Sequence, residues 1–173
     1  MGQTGILLDV AVLAAVYAAW LLPKWRQLGK QPLLVYTLMY GCLAGIVRFT
    51  LMPVLTALPY CFDHPYIPMH MAPFEDVILH HGDYVRQIVL NVILFVPFGV
   101  LQPLCDRCRG RRPRFWRCLL LTLALSAGIE LVQPLLHILR RADITDVITN
   151  TIGGVLGYVL WALGNVCCKK RSV

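Results

Sequence analysis

Apolar residues fall in five runs separated by short polar segments, at positions 6–22, 33–52, 85–104, 115–139 and 146–168. The last four runs are long enough, at helical rise, to cross a bilayer core of about 30 Å, and the first is just long enough to span. The runs carry few charges and lack the strict alternation of a half-buried strand. They predict five transmembrane helices. The first run enters after no positive residue and is followed by Lys24, Arg26 and Lys30. That order fits a retained helix with its N-terminus outside better than a cleaved signal peptide. The second run follows Pro32 and contains Gly41-x-x-x-Gly45, a spacing that lets helices approach closely. The third contains Pro97, which cannot donate a backbone bond to Ile93, so a kink is expected there.

Composition sharpens the class. The chain is 58% apolar and 14% charged, with mean hydropathy +0.65. That is too apolar for an ordinary soluble domain and fits an all-α polytopic bundle. The 173 residues leave room for a single domain, 1–173. The net charge of +7 sits in clusters between the apolar runs, which excludes a nucleic-acid surface as its simplest reading. Arg107, Arg109, Arg111, Arg112, Arg114 and Arg117 crowd one loop, and Lys169, Lys170 and Arg171 close the chain. With the N-terminus outside, twelve of the sixteen Lys and Arg fall in cytoplasmic segments. The inverted topology puts those twelve outside and is rejected.

Cysteines and histidines change little. Cys105, Cys108, Cys118, Cys167 and Cys168 lie in or beside segments assigned to the reducing side. Cys105-x-x-Cys108 has no second pair at zinc spacing. Four of the five histidines, His64, His70, His80 and His81, share the proline-rich 53–84 loop, at spacings that match no ligand pattern. No metal and no cofactor are expected.

The chemistry concentrates in 130–157, between two apolar flanks. Glu130, Gln133 and His137 are three and four apart, hence on one helix face, as are Asp146 and Asn150. Glu130 lies about 13 Å below position 139. Arg48 is near the outer end of the second run, and Asn91 lies about 9 Å inside the third. All these polar groups fall in one half of the bilayer, where ionisable side chains are costly. Glu130 and Asp146 are the candidate acid–base pair. Arg48, Asn91, Gln133, Arg140, Arg141, Asp143 and Asn150 are the candidate ligand contacts. Pro134 supplies no N–H to the carbonyl of Glu130, which leaves that oxygen to a ligand, a water or Asn91. Each residue also has a structural reading. Asp143 suits an N-cap, with Asp146 completing a capping box. Asn150 suits interhelical glue, and Gly153, Gly154 and Gly157 suit close packing. Glu130 with an arginine suits an ion pair.

The order NVILFVPFG, then Ser126-x-x-x-Glu130-x-x-Gln133, then Arg141-x-Asp143-x-x-Asp146-x-x-x-Asn150-x-x-Gly153-Gly154-x-x-Gly157 resembles the VanZ-like family. The motif-bearing part is about 70–165. Pro73-Phe74 and Arg48 fit the family's upstream part, whereas His70 stands where an asparagine is common. The resemblance implies a bacterial membrane protein whose founding relative is tied to teicoplanin resistance. It implies no reaction.

Three functions are compatible with these residues. One is binding or shielding a lipid-borne envelope component, with membrane lipids or a lipid-linked precursor as partner. Another is acid–base chemistry on a phosphate-containing lipid, with the arginines as clamp. The last is a small transporter or channel subunit, against which the absence of an inverted repeat counts. The topology carries its own test. A membrane-impermeant maleimide applied to cells should label Cys61 and spare Cys105 and Cys108 until the membrane is permeabilised. The opposite pattern would overturn the topology.

Overall fold

The computed structural model describes residues 2–80, 82–136 and 141–170. His81, His137, Arg140 and Arg171 lie outside the described residues. Among the described residues, five helices are long and apolar enough to cross a membrane: Gln3–Arg26, Lys30–Thr50, Tyr84–Cys108, Phe115–Leu136 and Ile144–Cys167. They are helices one to five below. The bundle is all-α and multi-pass.

The helix limits follow local chemistry. Helix one contains a π-helical segment, Tyr17–Leu21. Gly29, at φ +97°, turns the chain into helix two, a backbone angle that suits glycine. Pro32 sits within the first turn of helix two rather than ahead of it, where its missing N–H costs nothing. Helix three runs unbroken through Pro97 and Pro103. Helix five starts after Asp143, whose Oδ1 accepts the backbone N–H of Thr145 at 2.7 Å, an N-cap bond.

Helices three and five share the most extensive contact in the bundle. Helix four packs on the other side of helix five, and helix two packs on helix three. Helices three and four, though consecutive, touch little. Helices three and five together therefore form the centre of the bundle. Helix one packs chiefly on helix two and is tied to the 53–56 segment. There Asp9, buried although charged, accepts the backbone N–H groups of Val54 and Leu55, at 3.0 Å for the latter.

Glycine makes the central contact possible. A Cβ on Gly153 would strike the carbonyl oxygen of Val92, and one on Gly157 the carbonyl oxygen of Val96. A Cβ on Gly99 would strike the carbonyl oxygen of Gly154. Gly154 itself faces Thr122 of helix four, whose side chain would lie 2.5 Å from an added Cβ. So Gly153 and Gly157 face helix three while Gly154 faces helix four. Gly41 and Gly45 behave differently: nothing lies within 4 Å of a Cβ at either. Their spacing permits close approach, but no helix uses it.

These contacts predict a graded result. Gly153→Leu and Gly157→Leu should each cost about 1–3 kcal/mol or more, because backbone cannot yield as a side chain can. Gly41→Ala should be neutral or slightly stabilising, since alanine is the better helix former by about 0.5–1 kcal/mol. Thermal unfolding in detergent reads all three. Equal melting temperatures for Gly157→Leu and the parent would refute the packing.

Candidate functional site

The site is built at the end of the bundle where helix four stops and helix five begins. The 70–76 segment straps that end. His70 donates its backbone N–H to the carbonyl of Ala142 at 2.8 Å, and its carbonyl accepts the N–H of Ile144 at 3.0 Å. Its ring lies between two carboxylates. Nε2 contacts Glu75, and Nδ1 is 3.8 Å from Asp143. Phe74 donates its N–H to Oγ1 of Thr145 at 3.0 Å. Phe74 has φ +58°, a left-handed backbone that costs a non-glycine residue about 1–2 kcal/mol. Such residues persist where surrounding bonds hold them, and they gather at functional sites.

Glu130 reaches this end from helix four. It is 1% exposed, and its Oε2 accepts the backbone N–H of Asp143 at 3.1 Å. That N–H belongs to the N-cap residue of helix five, which a capping box would leave to Asp146. Glu130 supplies the acceptor instead. Asp146 turns to helix three. Its Oδ1 accepts from Asn91 at 2.7 Å and from Gln87 at 3.2 Å, and its Oδ2 accepts from Gln87 at 3.3 Å. Asn91 also approaches Oγ1 of the buried Thr149, at 3.5 Å. The two carboxylates proposed as an acid–base pair thus have separate jobs: Glu130 joins helix four to the start of helix five, and Asp146 joins helix five to helix three.

One turn deeper, Asn150 donates to Oγ of Ser126 at 2.9 Å. Both are buried, and Oδ1 of Asn150 has no hydrogen-bond partner among the described residues. Ser126 belongs to a stripe at four-residue spacing on helix four, Cys118, Thr122, Ser126 and Glu130, all buried. Small polar side chains at this spacing let helix four approach the glycine face of helix five. Gln133 is buried on helix four.

Of the three candidate arginines, Arg48 and Arg141 are among the described residues, and these two stand apart from the network. Arg48 lies with its guanidinium 5.8 Å from the ring of its neighbour Phe49. Among the described residues it has no hydrogen bond or ion pair with Glu130, Asp143 or Asp146. Arg141 is exposed on the turn. The Asn91 amide, a candidate donor to the Glu130 carbonyl, donates to Asp146 instead. A shallow cleft opens beside the network, lined by Phe74, Asp76, Tyr84, Gln87, Asp143 and Asp146. Among the described residues, no three His, Cys, Asp or Glu are grouped to hold a metal ion.

His70, Glu75, Gln87 and Thr145 were missed by sequence reasoning. His70 and Glu75 act from a loop with no periodicity to read. Gln87 did carry a signal: it precedes Asn91 by one helical turn, so the two share a face.

The comparisons with known proteins fall on the same residues. The family model described as VanZ/LLP1 matches residues 37–165, which hold all of the network. The curated Protein VanZ of Enterococcus faecium is 34% identical over 112 residues, covering 65% of this chain and 63% of its own length. The chain thus spans less than two thirds of that relative. No solved structure matches. With most of helix two, all of helices three and four, nearly all of helix five and the whole polar network inside the matched region, the chain belongs to the VanZ/LLP1 family of membrane proteins.

Proposed function

We propose that this chain resides in a bacterial cytoplasmic membrane and binds a lipid-borne component of the envelope at the Glu130 end. In this reading the basic 105–117 loop faces the cytoplasm, so the Glu130 network opens on the outer leaflet. Occupying or masking that component lowers susceptibility to glycopeptides of the teicoplanin type. The observation that carries the reading is the network itself. Glu130, Asp143, Asp146, Asn91, Gln87 and His70 meet at one end of an apolar bundle, beside an open cleft. Polar groups at this density are costly near lipid and are kept where they meet a polar ligand. A lipid-anchored headgroup lies at the matching depth. Relatedness to Protein VanZ supports the same direction.

The cleft's lining also bears on the ligand. Asp76, Asp143 and Asp146 line it, together with the phenol of Tyr84 and the amide of Gln87. These groups favour a ligand rich in amino, amide or hydroxyl donors, as a glycan or peptide headgroup is. Acid–base catalysis by Glu130 has less support, because a backbone N–H already occupies Oε2 and the residue is almost wholly enclosed.

Glu130→Gln tests the reading. The amide oxygen can still accept the N–H of Asp143, so the variant should insert normally and lose no more than about 1–2 kcal/mol of stability. It should also lose its effect on glycopeptide susceptibility and on the envelope-lipid profile. Glu130→Ala removes the acceptor and should lower the folded yield as well. Full cellular activity in a folded Glu130→Gln protein would overturn the role given to this carboxylate.

A further inference from the structure

The opposite end of the bundle carries a second polar construction that the proposed function does not use. Asp106, at the end of helix three, is 1% exposed. Its Oδ1 pairs with Arg117 of helix four at 3.3 Å, and its Oδ2 accepts from Gln102 at 2.9 Å. Its carbonyl accepts the backbone N–H groups of Arg109 at 3.1 Å and Arg111 at 2.9 Å. Gly110, at φ +67°, makes the turn between them. The Asp106 carboxylate therefore ties helix three to Arg117 of helix four, and its backbone carbonyl closes the turn that opens the arginine-rich loop. The first residues of the loop, Arg109 to Arg111, are thus held in a defined turn.

Beside this anchor lies a groove of about 690 Å³. Arg111, Arg112 and Arg114 form its polar rim, and Trp116, Leu120 and Leu121 its apolar wall. All six are exposed. Among the described residues, no carboxylate pairs with the three rim arginines, while Arg117 is committed to Asp106. The wall lies on helix four, one to two turns along it from the rim, at Trp116, Leu120 and Leu121. Positive charge at a helix end, an indole at the boundary and leucines further in follow the profile of a phospholipid from phosphate to acyl chain.

We infer that this groove binds one anionic phospholipid of the adjoining leaflet, its phosphate among Arg111, Arg112 and Arg114 and an acyl chain along Leu120 and Leu121. Guanidinium forks suit phosphate oxygens, and the leucine wall has no use for a water-soluble anion. The bland account of the same arginines is orientation alone, which needs their charge but neither a groove nor a wall.

Trp116 reports directly. The full-length chain with Trp20→Phe, Trp25→Phe and Trp161→Phe leaves it as the sole tryptophan. The protein is reconstituted in phosphatidylcholine vesicles containing either brominated phosphatidylglycerol or brominated phosphatidylcholine. An arginine near an anionic surface strengthens lipid attraction about fivefold. Quenching should therefore saturate at brominated phosphatidylglycerol fractions at least about tenfold lower than for brominated phosphatidylcholine. Glycerol phosphate in the buffer should not compete. R111Q/R112Q/R114Q should bring the two lipids to parity, and L120Q/L121Q should weaken the preference although it leaves every charge in place. Equal quenching by the two lipids in the parent would overturn the proposal. So would a preference that survives the triple change, one unmoved by L120Q/L121Q, or one abolished by glycerol phosphate. Where the triple variant does not insert, R111Q and R114Q singly decide, and an unaltered preference in both counts against the groove.

Discussion

The close approach of helices three and five is the constraint on which the rest depends. Apolar side chains gain little from leaving lipid for a helix interface, so helices in a bilayer associate through packing and through polar bonds. Gly99, Gly153 and Gly157 bring the two backbones into contact that any Cβ would prevent. That distance sets what can happen one and two turns further along. Asn91 sits one residue before Val92, whose carbonyl meets Gly153, and so its short side chain reaches Asp146 at 2.7 Å. A helix pair held apart by alanines would stretch or break the bond between this amide and this carboxylate, leaving Gln87 as the helix-three donor to Asp146.

A second consequence concerns the start of helix five. Its first turn exposes backbone N–H groups that need acceptors. Asp143 satisfies the N–H of Thr145, and Glu130 satisfies that of Asp143. Because Glu130 comes from helix four, the cap is also an interhelical bond. Because Asp146 is not needed in the cap, it can serve helix three. The His70 strap then closes the end by pairing its backbone with Ala142 and Ile144 on either side of the cap residue. The polar network is thus a single unit: moving Glu130 would alter the cap, the strap and the hold on Asp146 together.

Much of this was legible in the sequence, and for definite reasons. Hydropathy located all five helices because a bilayer demands long apolar runs whatever their packing. The depth shared by Asn91, Glu130, Asp146 and Asn150 was legible because helical rise and alternating span direction are fixed. The capping role of Asp143 was legible from its place before an apolar run. Partner choice was not. Gly41 and Gly45 have the same spacing as Gly153 and Gly157, yet only the second pair meets a helix, since spacing states what a face allows and not what faces it. Arg48 shares the depth of the carboxylates but sits on helix two, which packs on helix three rather than on helix four or five. His70 was illegible because its contacts span more than seventy residues and come from a loop.

The two ends of the bundle solve one problem in opposite ways. Each buries a carboxylate, Glu130 against the start of helix five at one end and Asp106 near the end of helix three at the other. Glu130 is bonded to a backbone N–H of the next helix, so the network around it keeps further carboxylates, Asp143 and Asp146, at the cleft. Asp106 is bonded to Arg117 and fixes the turn that carries Arg111. Asp106 is the buried member of that pair, whereas Arg117 is about a third exposed and keeps access to solvent. The bundle thereby presents an acidic cleft and an arginine-rimmed groove at opposite ends. Surface side chains set the sign of each end, and an acidic residue inside the fold holds the backbone that carries them: Glu130 the start of helix five, and Asp106 the turn before Arg111.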